Sequence, residues 1–393
     1  TWFLTAIRLI PFNALTCAAV TILCAVICFF LLRKESKEKT ECFPVDRISL
    51  IYWEELLFFL AFLMWTYLAG FRPAAYGTEK FMDYGFMEAM MRSTTLPARD
   101  LWYSEGHINY YYGGQYFAVF LTKLSHTKVE LTYNLMRTFV AGLAFAMPFS
   151  LVYQMMSDRM KGQQKSEKVI KGLPFAAGFT AGTAVSIAGN MHYVIYAQII
   201  PLIEKLTGKE VSSYWFPDAT RYIGYNPYRE EDRTIHEFPC YSFVLGDLHA
   251  HVVNIMFVLL VIALLYVWLR GVRKKTVPVE ASMKDGKFWK EQLLMPHLLV
   301  ISALLGMFQW TNFWDFVIYY VVTLGTVLFA NIIRFQGKIK KIMVVTFAQM
   351  AEIYLLAYLV ILPFTLQFDT MVDGIGIAKY HSYFYQLLVL WGL

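Results

Sequence analysis

Charge is scarce in this chain. Only 16% of its residues are Asp, Glu, Lys or Arg, against about a quarter in soluble domains. Cysteine is scarce too, with five in all and no CxxC pair. Cys17, Cys24 and Cys28 lie inside one apolar run, and Cys42 and Cys240 fall on opposite sides in the topology below. That excludes a disulfide framework and a cysteine-bound zinc. There is no clear internal repeat and no low-complexity tract. Thr1 to Pro11 lacks the basic start and small-residue cleavage site of a signal peptide. Strict apolar–polar alternation is also missing, which excludes a transmembrane barrel.

What the chain has in abundance is apolar length. Its 393 residues are 58% apolar, with a mean hydropathy of +0.45. Repeated apolar runs of roughly 20 residues predict an all-α polytopic membrane protein, because in lipid a helix satisfies its own backbone. About nine spans are expected: 12–32, 48–70, 133–156, 173–195, 243–269, 297–313, 314–333, 343–366 and a last, truncated one from 384. The short final run suggests a fragment of a longer protein, with 1–393 a single transmembrane domain.

Short loops dense in Lys and Arg face the cytoplasm. Segments 33–47, 157–172, 270–291 and 334–341 hold 21 of the 35 such residues, and the longer loops 71–132, 196–242 and 367–383 hold 12. The net charge of +6 is accordingly a topology signal and implies no nucleic acid. The long loops face outward from a multi-pass protein of the plasma membrane, whose partner is the lipid bilayer; nothing speaks to oligomeric state. Tyr110–Leu124 is too short to span and reads as an interfacial or re-entrant element. Few ionisable residues sit at mid-membrane depth, Glu352 being the clearest, whereas transporters need them there.

Chemistry is therefore expected at the outer surface, foremost in Gly77–Tyr116. Thr78 precedes Glu-Lys-Phe-Met-Asp as an N-cap would, and the residues to Met91 predict an amphipathic helix lying on the membrane. Glu79 and Asp83, four apart, share one face at about 6 Å. Two carboxylates so placed share a cation or proton, or one works as a base; a solvated face with Lys80 as partner is the alternative. Asn109-Tyr110-Tyr111-Tyr112-Gly113-Gly114 follows, after an interfacial Trp102. Phenols here suit sugars and headgroups, or form an ordinary aromatic belt.

Two more outer constellations follow. Gly246-Asp247-Leu248-His249-Ala250-His251 is expected to open a helix, with Asp247 and His251 facing one way. Such a pair could ligate a divalent metal or hydrogen-bond together. Arg221, Arg229 and Arg233 could clamp a phosphate or pair with Glu230, Glu231 and Asp232. Gln309 to Phe316 places Asn312 and Asp315 where the chain turns outside, as site walls.

The stretches GTEKFMDYGFMEAMMRS, INYYYGG, FPCYSFVLGDLHAHVV and TNFWDFVIYY, spread over Gly77–Tyr320, resemble the YYY-type membrane proteins, an uncharacterised domain-of-unknown-function family. That family in turn resembles the C-type (GT-C) glycosyltransferases, which take sugars from polyprenyl-phosphate donors. The resemblance implies a membrane glycosyltransferase with its cleft at the extracytoplasmic face. Asp83, then Glu79, would be the base. Lys80, Trp102, Asn109, Tyr110, Tyr111, Tyr112, His249, Asn312 and Asp315 would bind substrate, with a divalent metal at Asp247 and His251. The chain departs from the family pattern at Pro97–Trp102 and at Gln115, where histidine is expected. A transporter or export component, or an envelope scaffold, is the alternative.

Overall fold

The apolar runs fold into helices, as backbone groups without water require. A computed structural model describes all residues except 38–47, 78, 162–166, 275–281, 371–373, 375 and 393. Thr78, Cys42 and parts of segments 33–47, 157–172, 270–291 and 367–383 thus lie outside the described residues. In chain order the α-helices are α1 (Trp2–Ala6), α2 (Ala14–Lys37), α3 (Ile48–Gly70), α4 (Lys80–Arg92), α5 (Gly113–Ser125), α6 (Val129–Met160), α7 (Glu167–Ser186), α8 (Ile200–Leu206), α9 (Pro239–Leu245), α10 (Ala250–Lys274), α11 (Gly286–Leu293), α12 (Pro296–Thr311), α13 (Phe313–Phe335), α14 (Ile339–Thr365) and α15 (Phe384–Trp391). Among the described residues there is no strand, only two isolated bridges.

Six stretches are long and apolar enough to cross a membrane: Ala14–Leu31, Ile48–Gly70, Val129–Met160, Ala250–Arg273, Phe313–Phe335 and Ile339–Thr365. A seventh arises if α11 and α12, bent by 50°, count as one span. The described residues therefore do not reach the nine spans expected, for local reasons. The stretch 173–195 does not hold one helix: α7 stops at Ser186 and Tyr193–Ile199 winds as a separate π-helix. The apolar run from 384 forms only the eight residues of α15.

The chain divides into two compact units. The first comprises Thr1–Trp53, Pro73–Val140 and Leu248–Asp369. Its core is the packing of α10, α12, α13 and α14 around Val261, Leu298, Ile301, Leu305, Phe308 and Ile353, all fully buried. Against α10 and α12 leans α5, which also meets α2 and α4. At 13 residues α5 is well short of the about 20 a crossing needs. Two glycines set its position. A Cβ on Gly113 would sit 2.5 Å from the Thr311 methyl, and one on Gly114 2.8 Å from Val253 Cβ. Elsewhere α2 is exposed nearly all round, with Leu15, Ile22, Phe29 and Phe30 open. Such a surface suits lipid, as its length and hydropathy do.

The expected amphipathic α4 exists, but its buried face is not purely apolar. Lys80 and Asp83 are buried with Phe86, Met87 and Met90, while Phe81 is exposed. The helix turns two charges inward, as a site does and a surface anchor does not.

The second unit comprises Glu54–Arg72, Ala141–Asp247 and Thr370–Leu393. Trp65 donates from its indole to Ser186 Oγ (3.1 Å), which donates to the Ala141 carbonyl (2.9 Å). Gly178 and Gly182 lie against the carbonyls of Phe149 and Phe145, where a Cβ would come within 2.7 Å, the small-residue spacing of close membrane-helix packing. Tyr222, Ile223, Val389 and Leu390 form a further small core.

Candidate functional site

The first unit gathers two of the three constellations around one imidazole. Glu79 caps α4 and its side chain is 57% exposed. One turn on, Asp83 has no exposed surface. His249 precedes the first residue of α10 and its carbonyl accepts from the backbone N–H groups of Val252 and Val253. Its Nε2 lies 2.9 Å from Glu79 Oε2 and 3.9 Å from Asp83 Oδ2. A nitrogen facing two carboxylates offsets their repulsion when protonated. The i, i+4 spacing thus puts both acids on one face, and an imidazole fills the place of the shared partner.

Gln115 completes the arrangement. Its amide donates to Asp83 Oδ1 (2.8 Å) and to the Leu248 carbonyl (2.9 Å). It binds α4 through α5 to the start of α10. The residue that departs from the family pattern is thereby part of the site's frame.

Tyr110 flanks the acids. Its ring packs on Phe86 (5.7 Å) and Tyr111 (5.8 Å). Burial, then the negative charges of Asp83 and Glu79, push its phenol up to about 12. It stays a neutral hydrogen-bond donor at any physiological pH. Tyr111 leans on Phe368 (5.3 Å). Tyr112 is turned elsewhere: it is 2% exposed, its hydroxyl accepts from the Trp2 indole (3.1 Å), and its ring meets Trp310 edge-on. Trp102 is exposed and lies over Gly85, where a Cβ would approach its ring to 2.8 Å. Asn109 is spent on structure, pairing through both ends of its amide with the backbone of Asp369.

The third constellation reaches α10 one step further along. Asp315 Oδ2 accepts from Asn254 (2.6 Å) and Asn312 (2.9 Å), and Thr311 donates to Asn254 Oδ1 (2.8 Å). Asn254 follows His249 by five residues, about 7.5 Å along a helix. It is fully buried and escaped sequence reasoning, although a lone Asn in an apolar run is itself a signal.

The expected pairing of Asp247 with His251 rested on a helix running through both. α10 begins only at Ala250, so Asp247 precedes it and the helix expected to carry both residues does not include Asp247. Asp247 is buried and ends a segment of the second unit, while His251 lies in the first turn of α10, its ring 5.6 Å from that of His249.

Residues 1–393 match the family described as uncharacterised membrane protein, DUF2298. The chain belongs to this family. No curated protein and no solved structure matches it. Membership agrees with the helices above, and the protein is a multi-pass membrane protein.

Proposed function

We propose that the protein is a C-type membrane glycosyltransferase, transferring a sugar from a polyprenyl-phosphate donor at the extracytoplasmic face of the plasma membrane. The meeting of Glu79 and Asp83 with His249 supports this reading more than any other feature. A carboxylate 2.9 Å from an imidazole, with a second at 3.9 Å, is a set of groups able to move a proton off a hydroxyl.

Burial favours Glu79 over Asp83 as the base, the opposite of the order expected from sequence. Asp83 has no surface with which to meet an acceptor, whereas Glu79 is more than half exposed. Glu79 is then the general base and Asp83 a positioning residue that holds Gln115. The acceptor oxygen forms its bond to the anomeric carbon as its proton passes to Glu79. The bond from that carbon to the phosphate oxygen breaks, and the electron pair leaves on the lipid phosphate, inverting the centre. Positioned bases contribute about 10²- to 10⁴-fold. Lys80, buried on the inner face of α4, adds positive charge behind the site for the leaving group. Tyr110, Tyr111 and Trp102 wall the sugar.

The test is transfer from a radiolabelled polyprenyl-phosphate sugar by the protein in nanodiscs. Glu79→Gln is expected to cut kcat at least 100-fold with donor binding retained. Asp83→Asn is expected to cut it by tenfold or more. Full transfer by both variants removes the proposal.

One observation favours a second reading, ion-coupled transport. Glu352 lies at the middle of α14, and its Oε2 is buried with no hydrogen-bond partner among the described residues. Carboxyls at such depth mark ion pathways. That reading predicts flux without glycosidic product, lost in Glu352→Gln.

A further inference from the structure

At the far end of α4 from Asp83, roughly 13 Å along the helix, three arginines converge on a recess. Arg8, Arg92 and Arg99 line it together with His107. The recess measures about 590 Å³ and adjoins a second lobe of about 380 Å³ that shares Arg8 and His107. Ligand pockets run about 300–1,000 Å³.

Remote pieces of chain are pinned to make it. The Phe12 amide donates to the Thr94 carbonyl (2.8 Å), tying the segment after Arg8 to the exit of α4. Arg99 pairs with His107 in a backbone bridge, and bonds from Ile108 to Ala98 and from Asp100 to Gly106 close that turn. Arg8 itself holds a left-handed backbone, φ 61°. Non-glycine residues rarely adopt this, and those that do cluster at binding sites.

The arginines make no ion pair among the described residues. Among the described residues no carboxylate lies within 4.0 Å of Arg8, Arg92 or Arg99. Arg92 donates from Nε to the Glu88 carbonyl, which carries no net charge. Asp100 is the acidic residue lining the recess, and its Oδ1 accepts from the backbone N–H groups of Trp102 (2.7 Å) and Tyr103 (3.0 Å). Three like charges gathered against a single carboxylate leave a net positive recess that calls for an external anion. Guanidinium forks match phosphate oxygens in pairs.

We propose that this recess binds a phosphate or pyrophosphate group, free or as the head of a lipid, at a site separate from Glu79, Asp83 and His249. The proposal does not rest on the glycosyltransferase reading, because binding is measured without turnover.

Two arms distinguish the sources. In the first, pyrophosphate is titrated calorimetrically into the detergent-solubilised full chain. In the second, native mass spectrometry counts phosphatidic acid retained on protein released from phosphatidylcholine nanodiscs doped with that lipid. Arg8→Gln and Arg99→Gln, both exposed positions, are each expected to weaken binding at least tenfold in whichever arm binds. Lys209→Gln, an exposed lysine of the second unit, is expected to change it less than twofold. Arginine-dependent binding of pyrophosphate identifies a free anion, and arginine-dependent retention of phosphatidic acid alone identifies a headgroup. No arginine-dependent binding in either arm, or equal loss in Lys209→Gln, overturns the proposal.

Discussion

Four residues separate Glu79 from Asp83, yet one side chain is open to water and the other is sealed. The difference arises at the helix start: Glu79 stands just before α4, at the N-cap position, while Asp83 belongs to the face pressed toward α5. Both still send charge to Tyr110, whose phenol burial has already raised. A raised phenol contributes stability that is fully present below its ordinary pKa of about 10 and is lost as pH climbs through about 12. Site-specifically labelled Tyr110 is expected to titrate near pH 12 by NMR, and Asp83→Asn to lower that midpoint. An unmoved midpoint contradicts the charge coupling. At this scale the acids and His249 were legible, because their spacing and their place beside apolar runs set them apart. Gln115 and Asn254 were not. Neutral amides disturb neither charge pattern nor periodicity, and their value depends on which carboxylate folding brings to them.

Among the elements, α5 shows how a signature becomes geometry. The Tyr-Gly-Gly junction reads in sequence as a binding turn. In the fold its glycines let the start of α5 approach Thr311 and Val253 more closely than any side chain permits. Gly113→Ala is expected to destabilise the protein by about 1–3 kcal/mol through overpacking, seen as a lower Tm in detergent. Gly325→Ala, in α13 with nothing within 4 Å of its added methyl, is expected to be neutral or stabilising by up to about 1 kcal/mol. Equal effects would contradict the packing account. Hydropathy located the six long stretches well, since lipid exposure acts on every residue of a span. It misplaced the end of α7 and the start of α10. Gly189-Asn190 and Gly246-Asp247 interrupt helices by local backbone preference, which a window average hides.

Over the whole molecule, polar residues far apart in sequence are drawn to the ends of α4, α5, α10 and α13. At the cluster, hydrogen bonds and a facing imidazole hold the buried charge. The carboxylate–imidazole cluster and the arginine recess stand at opposite ends of α4, one suited to moving a proton and the other to holding an anion. The family gives the membrane setting; the proposed reaction is argued from the chemistry of the cluster. The most direct test is a cryo-electron microscopy map of the protein in nanodiscs with a non-hydrolysable polyprenyl-phosphate sugar. The sugar is predicted to lie with its anomeric carbon facing Glu79 and His249 and its ring against Tyr110. Donor density elsewhere, with Glu79 and His249 touching protein and water alone, would contradict it.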